Sequence, residues 1–294
     1  MTMLDIQDLT QSVIDGVMFG STCALIGTGF TLIFGVMHKI NLCCAAASIG
    51  AAYLSLLVVQ IAPAPLVYLA AALLGGLLGA VVYFVCVRFL PLDRPLATLM
   101  ATVGMLLLLD EVIVHATAGM PQNYPAMFAG ANIDIGPFMI RGDLPFVFAL
   151  GCAAMVGLKL LQERTRLGLA TRAVTQQPVA ARLCGMSLQA TNASTFVIAG
   201  LLGGIAGAMA GAAIGVLSPL MTLPLTIKGL VVTVIGGLGS IPGAIVAGLI
   251  VGGVENLLQF MRGVGERDID VMLVLFAFLV FRPGGLFAAP GGRD

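Results

Sequence analysis

Apolar runs long enough to cross a bilayer succeed one another along most of this chain, and they constrain its fold more than any motif does. Of its 294 residues, 59% are hydrophobic and 10% charged, where a soluble domain carries roughly 25% charge. A span takes about 20 apolar residues, which places segments near 12–37, 41–61, 66–90, 96–118, 144–162, 192–215, 226–258 and 270–282. The expected fold class is all-α: one transmembrane domain over residues 1–294, a polytopic membrane helical bundle of about eight transmembrane segments with broken or re-entrant helices.

The stretch Met1 to Gln11 carries Asp5 and Asp8 and no Lys or Arg, so the basic leader of a cleaved signal peptide is missing and the first span is expected to stay in the mature protein. Net charge is zero and like charges form no block, which sets nucleic acid aside as a partner. The six cysteines (Cys23, Cys43, Cys44, Cys86, Cys152, Cys184) show no Cys-x-x-Cys spacing. With only His38 and His115 as further soft ligands, no metal is expected, and the cysteines read as small packing residues.

Orientation follows the Lys/Arg bias of short loops. Lys159, Arg164, Arg166, Arg172 and Arg182 stand against Glu163 alone in residues 159–182, which puts that loop in the cytoplasm. Counting back, the 119–143 loop with Asp134, Asp143 and one Arg141 falls outside, the Arg88–Arg94 turn inside, the 62–65 turn outside, His38-Lys39 inside and the N-terminus outside. Counting forward, Ser218-Pro219 falls outside, while Arg262, Arg267 and Arg282 leave the side of the C-terminus open.

The run Thr233–Ala244 interrupts the seventh segment with Gly236, Gly237, Gly239, Ser240 and Pro242. A backbone that leaves helical geometry at membrane depth must bond to protein or border a watery cavity, and the broken helices of transporters expose their ends at a substrate site. Residues 28–58 weakly echo the pattern, with a polar break at His38 to Asn41. Asn41 and Ser240 each precede a small-residue helix and are N-cap types. If those helices start near the midplane, their N–H groups favour a carboxylate or polar oxygen. The alternative is that both merely cap turns at the membrane surface.

Asp110 and Glu111 fall in the outer part of the fourth segment, where a vestibule role competes with a Glu111–His115 pair at i,i+4. Gly203, Gly207, Gly211 and Gly215 recur every four residues beside Gly200 and Gly204, a smooth face for packing within the subunit or for dimerisation; Gly75, Gly76 and Gly79 read the same way.

The basic, alanine-rich loop Arg166–Met186 reads as two short helices around Gln177-Pro178, because the residue before proline is pushed out of helical geometry. Lipid-headgroup binding by its arginines and docking of a partner both account for its charge. No G-x-x-x-x-G-K-[ST] run occurs, and Lys39, Lys159 and Lys228 lie in no phosphate-cradling context. Hydrolase motifs are absent too, so the chain reads as a transport subunit rather than an enzyme. A stand-alone channel or secondary transporter would need its own ion-coupling residues, and only Asp110 and Glu111 offer themselves.

Several stretches together resemble the permease subunits of branched-chain amino acid ABC importers, the high-affinity leucine/isoleucine/valine type. They are Thr28–Met37 with Ile40-Asn41, Arg172–Gly185, Gly215–Pro219, Gly236–Ala244 and Phe281-Arg282-Pro283-Gly284-Gly285-Leu286-Phe287. The resemblance implies a multi-pass permease in the bacterial plasma (inner) membrane, surrounded by lipid and paired with a second homologous permease subunit. It further implies two ATPase subunits that hold ATP and Mg, no cofactor in this chain, and an extracytoplasmic solute-binding protein. Residues 163–188 become the cytoplasmic coupling loop, with Arg172, Gln176, Pro178, Ala180, Ala181, Leu183 and Gly185 as ATPase-coupling residues. The implied cargo is branched-chain or other hydrophobic amino acids; related permeases carry urea, short amides or small carboxylic acids.

One departure bears on the cargo. Where the family has an aromatic, Ala, His and Gly after Ile-Asn, this chain has Leu42-Cys43-Cys44-Ala45-Ala46-Ala47. With Asn41, Gly236, Gly237, Gly239 and Ser240, this puts Cys43 and Cys44 on the expected substrate pathway, a lining that suits a more apolar solute. The acidic pair Asp110-Glu111 also replaces what is usually an uncharged polar pair.

Overall fold

The computed structural model describes residues 3–59, 63–90, 95–125, 132–135, 138–263, 267–281 and 285–287. Among them run eleven α-helices: α1 (Met3–Met37), α2 (Cys43–Val59), α3 (Ala64–Val82), α4 (Pro95–Thr117), α5 (Asp143–Arg164), α6 (Arg166–Gln176), α7 (Pro178–Leu183), α8 (Leu188–Ile214), α9 (Thr222–Gly236), α10 (Ile241–Arg262) and α11 (Arg267–Phe281). A π-helical turn, Tyr83–Val87, extends α3. Seven helices among the described residues are long and apolar enough to cross a membrane. The 17 residues of α2 and the 15 of α11 reach only about 25 and 22 Å at about 1.5 Å per residue. The single expected segment 226–258 is two helices, α9 and α10, of opposite direction.

The two ends of the bundle differ in charge. At one end Val36 of α1 packs on Val174 of α6 and Ala181 of α7. Lys39 donates to Thr98 at the start of α4 (3.0 Å), and the Tyr83 hydroxyl donates to the Gln189 carbonyl at the start of α8 (3.0 Å). Lys39, Arg88, Arg164, Arg166, Arg172 and Arg182 all belong to this end, so it carries the Lys/Arg bias on which the expected cytoplasmic orientation rests.

At the opposite end the strand Gln122–Asn123 pairs antiparallel with Val216–Leu217. Tyr124 is buried there, with its hydroxyl 3.1 Å from that of Ser55, and Tyr53 donates to the Leu217 carbonyl (2.8 Å). Burial pushes the Tyr124 phenol up to about 12, so it stays protonated. A second ribbon, Asn132–Ile135 with Phe138–Arg141, lies in the same loop.

Which end of the bundle the chain reaches after α11, open in the sequence, follows from backbone bonds. Leu286 N–H donates to the Ile235 carbonyl (2.8 Å) and Phe287 N–H to that of Gly236 (3.3 Å). The chain is thereby back at the basic end after α11. Arg282, Pro283 and Gly284 of the C-terminal motif lie outside the described residues, as do Ala62, Arg94 and the side chains of Asp134, Arg262 and Arg267.

Glycine sets the helix spacing. A Cβ on Gly75 or Gly79 of α3 would collide with the Gly200 or Phe196 carbonyl of α8, and one on Gly204 with that of Ala71. Gly203 and Gly207 face Ser48 of α2, and Gly211 lies under the Tyr124 ring. The glycine face of α8 is thus used for packing within the subunit, where close backbone approach replaces hydrophobic drive. A second seam escaped the sequence reading: Gly16 and Gly20 of α1 meet Gly252 and Gly248 of α10. The opposite face of α3 exposes Leu66, Leu69, Leu73 and Leu77, an apolar stripe at helical spacing.

Candidate functional site

After α1 ends, residues 38–42 fold back and Asn41, 6% exposed, accepts the Cys43 N–H on Oδ1 (3.0 Å). Asn41 stands one residue ahead of the N-cap position, since α2 begins at Cys43, and it caps the helix start through an Asx turn. Because α2 ends at the outer face beside Tyr124 and is only about 25 Å long, its capped start lies inside the bundle. Cys43 and Cys44 are buried there, with Cys44 Sγ 3.3 Å from the position of a Cβ on Gly29. The cavity bordered by Asn41, Cys43, Cys44, Ile33 and Phe196 holds only about 10 Å³, so in this conformation no solute fits.

The second expected helix start is placed differently. Ser240 does cap α10, accepting the Gly243 N–H on Oγ (3.3 Å). Yet Gly239 lies against Gly35, two residues before the end of α1, so the Gly236–Pro242 break sits at the basic end and not at mid-depth. The reason is chain reversal. α9 and α10 run antiparallel, and the reversal needs positive φ at Gly237 (98°) and Gly239 (88°). Gly236 and Gly237 are buried beneath the turn, where a Cβ on Gly285 would press on Gly237, while Leu238 and Gly239 are exposed.

Beside that turn a cavity of about 160 Å³ is bordered by Thr31, Gly35, Gln162, Arg172, Gln176 and Gly239. The structure thus brings together two groups the sequence kept apart, the glycine break and the basic loop. That loop has the expected form: Thr165 caps α6 by accepting the Gly168 N–H (3.2 Å), Gln177-Pro178 separates α6 from α7, and Gly185 stops α7 at φ 80°. Arg172, Gln176, Pro178, Ala180, Leu183 and Gly185 are exposed. Ala181 is turned inward onto Val36 and Val174, so it anchors the loop to α1 instead of facing outward. Val179 and Leu183, 71% and 85% exposed, add an apolar surface. Val179 was not singled out from sequence, although its place four residues before Leu183 on a short helix gives a shared face.

Asp110 is half-buried with no hydrogen-bond partner for Oδ1 among the described residues, and Glu111 and His115 are both exposed without an ion pair between them. Lys228, noted in the sequence only for its lack of a phosphate-cradling context, has a partner that the sequence did not reveal, Glu255. They form a buried ion pair between α9 and α10, Nζ–Oε1 2.6 Å. The signal was present as two opposite charges inside apolar segments that must pack as a hairpin. Among the described residues no three His, Cys, Asp or Glu side chains cluster as metal ligands do.

A helical bundle with a short capped helix starting in its interior and a packed basic loop at one end is compatible with a transport subunit, but the fold alone does not assign that role. Residues 12–281 match the sequence profile described as branched-chain amino acid transport system, permease component. The chain belongs to that family.

The permease is 28% identical to the high-affinity branched-chain amino acid transport system permease protein BraD of Pseudomonas aeruginosa, over 98% of both chains. It is 26% identical to the corresponding protein LivH of Escherichia coli, over 95% of this chain and 96% of that one. A xylose/arabinose import permease protein of Sulfolobus acidocaldarius matches at 25% over 60% of the permease and 49% of the relative. Among solved structures, PsaBC from Streptococcus pneumoniae, in complex with Fab, superposes with a TM-score of 0.50 over 96% of the permease and 91% of that chain, at 12% identity, which speaks to the fold alone.

Proposed function

We propose that this permease is one membrane-spanning half of a bacterial inner-membrane ABC importer for branched-chain or other hydrophobic amino acids. It pairs with a second homologous permease and receives solute from an extracytoplasmic binding protein. Two ATPase subunits, which hold ATP and Mg, drive it; the chain has no ATP-hydrolysing site of its own. The match of residues 12–281 to the family carries this reading, and near full-length similarity to BraD and LivH supports it.

Within that frame the exposed face of α6 and α7, over residues 163–188, is the coupling surface. Arg172, Gln176, Pro178, Ala180, Leu183 and Gly185 face an ATPase subunit, and Ala181 transmits its motion to the end of α1. Asn41, Cys43 and Cys44 border the solute route at depth, while Gly236, Gly237, Gly239 and Ser240 border its cytoplasmic mouth. ATP and the loaded binding protein shift the population between closed and open forms by binding one better than the other.

Co-expression with its cognate ATPase subunits tests the assignment. Arg172→Glu with Ala180→Glu is expected to abolish co-purification of the ATPases while the permease still reaches the membrane. Firm ATPase binding by that variant contradicts the coupling assignment. Uptake of urea or a short amide in place of leucine by the complete importer would move the cargo to the other solute class.

A further inference from the structure

Charge buried in a membrane span is costly, and where it is kept it marks a functional site by default. Lys228 and Glu255 have side chains only 7% and 2% exposed. An apolar pair of similar volume holds two helices together as well or better, so stability gives no reason for the charges. An ammonium has three N–H donors. Among the described residues the Lys228 ammonium makes one hydrogen bond, to Glu255, which leaves two donors for something else.

Lys228 also stands in the wall of a recess of about 380 Å³ between α9 and α11. The rest of that wall is Leu223, Pro224, Ile227, Ile269, Val271 and Met272. An occupant that fits needs an apolar body for these side chains and an anionic oxygen for the spare donors. Lys228 and Glu255 already cancel, so a bare anion would leave uncompensated charge in a low dielectric, whereas an occupant with its own ammonium keeps the site neutral.

We infer that the recess beside the Lys228–Glu255 pair is a binding site for a zwitterionic amino acid with a branched apolar side chain. Its carboxylate meets the Lys228 ammonium and its side chain lies against Leu223, Ile227, Ile269 and Met272. The inference rests on the reading of the chain as an amino-acid permease and deepens it, because it makes the recess a selectivity element that urea cannot fill and that amides cannot satisfy electrostatically.

The test uses the assembled permease pair with its ATPases in phosphatidylcholine nanodiscs, without the binding protein, so that the selectivity of that protein does not mask the site. Equilibrium binding of radiolabelled leucine is measured, with leucinamide and urea as competitors. Leucine is expected to bind saturably, leucinamide to compete about tenfold or more weakly, and urea not to compete. Ile227→Trp, which fills the recess, and Lys228→Met are both expected to lose leucine. The exchanged pair, Lys228→Glu with Glu255→Lys, keeps the ion pair and hence ATPase co-purification, yet is expected to lose leucine because α9 then repels the carboxylate.

Leucine binding retained by Ile227→Trp or by the exchanged pair overturns the inference. So does a phospholipid that native mass spectrometry finds on the wild type and not on Ile227→Trp, which makes the recess a lipid site. Leucine uptake by the complete importer without binding at the recess sinks this inference alone; absence of leucine uptake removes the amino-acid reading as well.

Discussion

Single residues carry the close packing of this permease, and their replacement has consequences that depend on the neighbour. Gly204 has the Ala71 backbone directly against it, while a Cβ on Gly104 of α4 would meet nothing within 4 Å. Gly204→Ala is therefore expected to lower stability by about 1–3 kcal/mol through overpacking, whereas Gly104→Ala is neutral or slightly stabilising through helix propensity. Thermal unfolding of the detergent-solubilised variants, read by fluorescence size exclusion, checks the contrast. Tyr124→Phe removes the contact to Ser55 at the outer end and is expected to cost about 1 kcal/mol. Both helix starts were legible from local chemistry alone: Asn41 and Ser240 are polar residues just before small-residue helices, and both accept an N–H from the first turn, Asn41 through an Asx turn and Ser240 as the N-cap.

Element by element, the sequence reveals length and composition better than depth. The break at Gly236–Pro242 looks the same in sequence whether it interrupts a half-helix at mid-bilayer or turns a hairpin at the surface. Only the contact of Gly239 with Gly35 and the return of Leu286 and Phe287 to α9 tell the two apart. Lys228 and Glu255 were invisible as a pair because 27 positions and a chain reversal separate them. The α6–α7 unit, by contrast, was readable in outline, because proline and glycine punctuate it. Its faces were not: Ala181 and Ala180 are adjacent and chemically identical, yet one is buried and the other exposed. Accordingly, Leu183→Glu is expected to weaken ATPase co-purification without lowering expression. Ala181→Glu, which forces a charge between Val36 and Val174, is expected to lower expression itself, as membrane-fraction immunoblots will show.

For the molecule as a whole, the account has a polarity and a route. Cys184 is exposed on the basic loop, whereas Cys43 and Cys44 are buried at the capped start of α2. In right-side-out vesicles a membrane-impermeant thiol reagent should therefore leave Cys184 untouched and label it once the vesicles are inverted. The route is the more demanding claim, because the cavity beside Asn41 and Cys43 is closed to solute in this conformation and must open during transport. The most direct measurement is the thiol reactivity of Cys43, with the other cysteines replaced, in the complete importer at rest and trapped with nucleotide and loaded binding protein. A rise in reactivity on trapping or on release is the predicted result; a rate that stays the same in every state, whether zero or fast, contradicts the placement of the route.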